Sequence, residues 1–141
     1  MDDLIREACA ELKGSSQKHT LVVEGDTGIE VYADRNRLEQ VLINLISNAI
    51  KYSPDADKVI IHIGRQKDGV KIAVTDFGIG IPKNKIPLLF DRFYRVDETS
   101  QRYAGLGLGL YISSEILKRH NGRIYIESEE GTGSTFWFVI P

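Results

Sequence analysis

The sequence predicts an α+β two-layer sandwich, a mixed and mostly antiparallel sheet covered on one face by about three helices. Three observations point there. Residues 34–52 carry apolar side chains at helical spacing. Residues 59–75 and 123–140 each read as two strands joined by a glycine-containing turn. Those strand pairs sit between separate helices, an order that puts helices on one face of a mixed sheet.

Asp2 to Lys13 reads as a short helix with Leu4, Ile5, Ala8 and Leu12 on one side. Leu21 to Val23 and Glu30 to Ala33 read as strands. Asp34 is placed to cap a long helix that runs to about Tyr52, where Pro54 stops it. Val59 to Gly64 and Val70 to Thr75 alternate as half-buried strands, turning at Lys67-Asp68-Gly69. Residues 76–107 are punctuated by glycine and mostly irregular, with one short helical stretch near Lys83 to Leu89. Leu108 to His120 reads as a helix closed by Asn121-Gly122. Arg123 to Ser128 and Ser134 to Ile140 are the last strands.

Composition narrows the function. The 141 residues are 42% hydrophobic, enough for one core and too many for a disordered tail. A formal net charge of −2 gives no basic footprint for nucleic acid. The single cysteine, Cys9, rules out an internal disulfide and a cysteine-based zinc site. No apolar run approaches the roughly 20 residues of a membrane span, and the start, Met1-Asp2-Asp3-Leu4, is acidic, unlike a signal peptide. A soluble single domain over residues 1–141 is expected, one that can still be a piece of a larger membrane protein.

The helix over 34–52 has two faces. Leu38, Val41, Leu42, Leu45, Ile46 and Ala49 form an apolar stripe. Asn44 and Asn48, four apart, stack beside it; Lys51 falls on the same line and Tyr52 lies close by. Asparagine is a mediocre helix former, so two of them one turn apart carry a local cost. They are either polar residues on a solvated edge or an amide face ending in a lysine. Such a face suits a hard cation and phosphate oxygens.

Two glycine segments follow. In Asp76-Phe77-Gly78-Ile79-Gly80-Ile81-Pro82, an aspartate at a strand end can accept from an exocyclic amine, and the glycines let a flat ring approach. An ordinary Asp-x-Gly turn is the plainer reading. Gly105-Leu106-Gly107-Leu108-Gly109-Leu110 opens a helix, where free backbone N–H groups make an anion site or the glycines make a hinge. There is no Gly-x4-Gly-Lys-Ser/Thr, and Leu110 stands where a dinucleotide fingerprint would place its third glycine. Between them, Phe90 to Asp97 is aromatic and basic. With Arg92, Arg95 and Arg102 it reads as a surface loop anchored by Phe90 and Phe93, or as a lid whose arginines fold over phosphates.

Together NLISNAIKYSP (44–54), DFGIGIP (76–82), FDRFYRVD (90–97) and GLGLGL (105–110) resemble, in order and spacing, the four boxes of the catalytic ATP-binding domain of sensor histidine kinases. The resemblance covers about 33–141. It implies the Bergerat α/β sandwich shared with gyrase-type and chaperone ATPases, with a mobile ATP lid over about 90–107. It implies that Asn48 ligates Mg²⁺ and that Asn44 supports metal and phosphates. Lys51 and Tyr52 would contact phosphates or the nucleotide's edge. Asp76 would hold the adenine amine, with Gly78, Gly80 and Ile81 forming that wall. Arg95 would reach the phosphates from the lid, and Gly105, Leu106, Gly107, Leu108 and Gly109 would close over them. Asn44, Lys51 and Arg95 are the catalytic candidates. Leu106 departs from the family, in which many members carry threonine.

Relatives that hydrolyse ATP place a glutamate one turn before the metal asparagine. That position is Asn44, and an amide cannot take a proton from water. Glu39 lies about 160° away around the helix. Slow hydrolysis is expected, with the γ-phosphate kept for an external histidine. His19, His62 and His120 read as structural, since none begins the Glu/Asp-x-Arg/Lys-Thr-Pro pattern of the family's acceptor helix. In the last helical turn, His120 would suit the dipole as an imidazolium. The expected partners are therefore a separate dimerisation and phosphoacceptor domain and a response regulator. The alternatives are a stand-alone anti-sigma serine kinase, an ATP-hydrolysing relative and a bare docking module.

Overall fold

The computed structural model describes residues 1–12, 19–25, 28, 30–53, 56–67, 69–88 and 109–141, residues 85 and 88 by backbone alone. Along the chain run α1 (Asp2–Leu12), β1 (Thr20–Glu24), α2 (Arg35–Lys51), β2 (Lys58–Gln66), β3 (Gly69–Asp76), a 3₁₀ segment (Lys83–Leu88), α3 (Gly109–Arg119), β4 (Arg123–Glu129) and β5 (Gly133–Ile140). The five strands form one sheet in the order β1-β2-β3-β5-β4. β1 and β2 are parallel, joined through α2; every other pair is antiparallel.

Strand alternation dictates which sheet face the helices cover. Ile61, Val74, Phe136 and Ile126 lie opposite one another in one row; Ile63, Ile72, Phe138 and Ile124 lie in the next. These rows, with Val59, Val70 and Ile140, meet the stripe of α2, in which all six expected residues are buried. Leu4, Ile5 and Ala8 of α1 and Ile116 and Leu117 of α3 complete the core. On the other face, Tyr125 stacks on Trp137 at 5.4 Å and the Lys71 ammonium sits 4.9 Å over the indole.

Helix ends follow their local chemistry. The Asp34 carboxylate accepts from Arg37 N at 3.2 Å and caps α2. α3 ends in a Schellman arrangement: Gly122 N donates to Leu117 O at 2.8 Å and Asn121 N to Lys118 O at 3.1 Å. The left-handed residue there is Asn121 (φ 59°), the first of the expected Asn-Gly pair. Gly122 serves a different need, because a Cβ on it would press on the Val139 carbonyl of β5.

Two expectations are corrected. Glu30 to Ala33 is not a strand: Val31 and Ala33 pack against the core while Tyr32 is fully exposed, and no ladder forms. The alternation there reflects one-sided packing. His120 is not placed as an imidazolium. Its Nδ1 donates to Ile116 O at 2.8 Å, so its Nε2 accepts from Asp34 N at 3.0 Å, which requires the neutral ring.

Candidate functional site

The covered face of the sheet turns polar at one end. Below the Val74 and Phe136 row, the inward positions of β3, β5 and β4 are Asp76, Ser134 and Ser128. Asp76 is 4% exposed. Its carboxylate accepts from Gly78 N at 3.0 Å and from the Ser134 amide. Burial pushes its pKa up from 3.8 to about 6, and the two amides pull against that rise. Beside it Ser128 Oγ accepts from Ile81 N at 2.8 Å and lies 2.7 Å from Ser134 Oγ. A cavity of about 460 Å³ borders the same strand ends; Asp76, Ser128 and Ser134 reach it together with Thr75, Thr135 and Glu127 of the opposite sheet face, and no residue of α2 lines it. The buried carboxylate thus lies next to open space.

The glycines after Asp76 bring three backbone segments together. A Cβ on Gly78 would overlap the Tyr52 carbonyl and Ser53 Cα. A Cβ on Gly80, whose φ is +69°, would overlap the Glu129 carbonyl. In this gap Ile79 N donates to Tyr52 O at 3.1 Å, and Gly131 N donates to Ile79 O at 2.7 Å. Each glycine therefore has a reason that needs no ligand: the loop is stitched between the end of α2 and the β4–β5 turn. Ile81 is buried in the core.

The amide face of α2 turns toward α3. Asn44 Nδ2 donates to Ser113 Oγ at 3.2 Å and to Gly109 O at 3.4 Å. Asn48 lies one turn on and is half-buried. Lys51, the last residue of α2, is exposed, and Tyr52 is its C-cap, donating N–H to Asn48 O at 2.9 Å. At the next position the Ser53 carbonyl lies 2.7 Å from His19 Nε2. Arg95, Gly105, Leu106, Gly107 and Leu108, with Arg92, Arg102 and the Phe90 to Asp97 segment, lie outside the described residues.

Sequence reasoning missed Ser113, Ser128, Ser134 and the His19–Ser53 contact. Ser128 and Ser134 carried a faint signal, as polar residues at inward positions of alternating strands. Ser113 carried a similar one, on the face of α3 that also presents Ile116 and Leu117. Among the described residues no helix is long and apolar enough to cross a membrane.

Comparison with known proteins assigns the class and then the family. The fold is that of catalytic domains of histidine kinases. A mycobacterial sensor histidine kinase, MprB, matches with a TM-score of 0.89 at 25% identity, covering 100% of this chain and 95% of that one. The catalytic domain of histidine kinase ThkA matches at 0.85 and 32% identity, covering 100% and 91%. Full-length ShkA, solved in complex with AMPPNP, matches at 0.86 and 26% identity, covering 99% of this chain and 29% of that one. Residues 33–141 match the model for histidine kinase-, DNA gyrase B- and HSP90-like ATPases, and the chain belongs to that family. It is 43% identical to sensor histidine kinase WalK of Bacillus subtilis, over 82% of this chain and 20% of that protein. It is 40% identical to sensor-like histidine kinase SenX3 of Mycolicibacterium smegmatis, over 100% and 38%. The chain spans less than two fifths of the length of these relatives and corresponds to their catalytic ATPase part.

Proposed function

We propose that this domain binds Mg²⁺-ATP and donates the γ-phosphate to a histidine on a separate dimerisation and phosphoacceptor domain. In that transfer an imidazole nitrogen forms the new P–N bond, the β–γ bridging P–O bond breaks, and ADP leaves with the electron pair. The observation that carries the reading is Asp76. A carboxylate buried at a strand end, held by two amides and bordering open space, suits a ligand amine such as that of adenine.

The α2 face supports the rest. Asn48 is the metal ligand, with Asn44 beside it. Among the described residues there is no group of three His, Cys, Asp or Glu side chains able to hold a metal. Amide oxygens plus the nucleotide's own phosphates fit Mg²⁺, which takes few protein ligands at nucleotide sites. The metal would supply neutralisation of the phosphate charge. Lys51 and Tyr52 meet the phosphates or the nucleotide edge, and Gly78, Gly80 and Ile81 shape the adenine wall. Arg95 acts from the lid over about 90–107, and Gly105 to Gly109 close over the phosphates.

The acceptor lies elsewhere. His120 is occupied by Ile116 and Asp34, His19 lies against Ser53, and His62, exposed on β2, does not begin the Glu/Asp-x-Arg/Lys-Thr-Pro pattern of the family's acceptor helix. Residues 1–141 would then serve as one catalytic ATP-binding domain, cytoplasmic, within a membrane-bound sensor kinase that passes phosphate to a response regulator. Labelled ATP and the matching acceptor helices decide it. Label on a histidine of those helices is expected; label on serine, or none, refutes the proposal.

A further inference from the structure

We infer that Ser113 is a positioning residue for Asn44: the Gly109 carbonyl sets which way the Asn44 amide faces, and the Ser113 hydroxyl holds it there and so presents the Asn44 carbonyl oxygen to the metal and phosphates. The inference deepens the reading of the pocket just given and rests on it.

Ser113, Ile116 and Leu117 form the buried face of α3 at helical spacing. Two of the three are apolar, and Ser113 is fully buried. A buried hydroxyl needs partners. Asn44, 69 residues earlier, donates to it from α2 at 3.2 Å. One turn before Ser113, the Gly109 carbonyl takes the same amide group at 3.4 Å. A backbone carbonyl can only accept. A reversed Asn44 amide would set its oxygen against that carbonyl with no proton between them. The NH₂ group therefore meets the Gly109 carbonyl and Ser113, and Oδ1 takes the other edge of the amide, beside Gly109, where a Cβ on that glycine would come within 3.9 Å of it. Of the two contacts, the shorter comes from Ser113. An amide oxygen held in place needs no reorientation when a cation or its water arrives, which is the value of supporting contacts around a metal site. The same contacts tie α2 to the start of the helix into which the glycine segment leads.

The test is calorimetric titration of ATP into wild type and Ser113→Ala, with Mg²⁺ and with EDTA. The Mg²⁺-dependent gain in affinity should shrink about three- to tenfold, the effect of one net hydrogen bond. Affinity in EDTA should stay unchanged. Ser113→Thr keeps the hydroxyl and should keep the gain. In an Asn44→Ala background, Ser113→Ala should add nothing. A readout without nucleotide stands beside these: the Asn44 side-chain amide protons should exchange slowly with water in wild type and quickly in Ser113→Ala, followed by NMR. Unchanged exchange overturns the inference, as does an equal loss of affinity with and without Mg²⁺. If wild type itself shows no Mg²⁺-dependent ATP binding, the reading of the pocket falls, and the exchange measurement still decides whether Ser113 holds the amide.

Discussion

Asp76→Asn should make the nucleotide-free domain more stable at neutral pH and less able to bind ATP. The stability effect follows from linkage. Burial raises the folded-state pKa of Asp76 from 3.8 to about 6. Two units at 1.36 kcal/mol each give about 3 kcal/mol. The sign is set by which state holds the proton more tightly. Below pH 3.8 the carboxyl is neutral in both states and burial costs little. Between 3.8 and 6 the unfolded chain ionises first, so stability falls with rising pH. Above 6 both states are ionised and the loss stays near its full value. Asparagine has no such titration, so other carboxylates cancel in the difference between the two proteins. Denaturant unfolding from pH 4 to 7.5 should show that difference moving toward the variant by about 2 kcal/mol, most of it before pH 6.5, the remainder of the full shift lying below pH 4. Asparagine can satisfy one of the two amides that Asp76 accepts, and the loss of the other adds a pH-independent offset of about 1 kcal/mol. Only the slope therefore tests the reasoning. A difference that is flat with pH, or that moves the other way, refutes it. The ligand amine wants the ionised carboxylate, so wild-type ATP affinity should rise as pH passes upward through 6.

Other perturbations separate the parts of the site. Asn48→Ala should cut ATP affinity in Mg²⁺ at least tenfold, about 1.4 kcal/mol, and leave affinity in EDTA unchanged; equal titrations in Mg²⁺ for variant and wild type would remove Asn48 as the metal ligand. Gly78→Ala should destabilise by about 2 kcal/mol or more, since its Cβ would overlap the Tyr52 carbonyl and Ser53 Cα. Gly131→Ala places a Cβ in open space at φ +86° and should cost only the conformational strain, about 1 kcal/mol. Denaturant midpoints compare the pair, and an ordering with Gly131→Ala worse would mean that strain, not crowding, governs these loops.

The core was legible because periodicity reports burial directly. All six stripe residues of α2 are buried, and the β2–β3 and β4–β5 pairs lie where alternation placed them. Glu30 to Ala33 misled for the same reason: alternation reports one-sided packing, and a ladder also needs a partner that sequence spacing does not reveal. Candidate site residues stood out where residue type is costly, as at two mid-helix asparagines and an aspartate at a strand end. It was illegible where small residues act through contacts remote in sequence. Ser113 reaches Asn44 across 69 residues and His19 meets Ser53 across 34, and no local pattern announces either. His120 shows the limit of a local electrostatic rule. The helix dipole favours a cation at that position, but the Asp34 N–H from α2 needs a lone pair, and the tertiary contact determines the proton.

The Asn44 environment bears on whether position 44 could carry a water-activating carboxylate. A carboxylate at this position could activate water, and a single substitution would supply one. The surroundings oppose it. The Gly109 carbonyl faces the position and can only accept, and the Asn44 amide meets it as a donor. A carboxylate there would face an acceptor, with the Ser113 hydroxyl as one donor within reach. It would either take up a proton to satisfy that carbonyl, and so cease to be a base, or turn away from α3 and loosen the contact between the two helices. The neutral residue at 44 is thus matched to its neighbours on α3. A hydrolytic pocket on this scaffold would need position 44 and the first turns of α3 to change together.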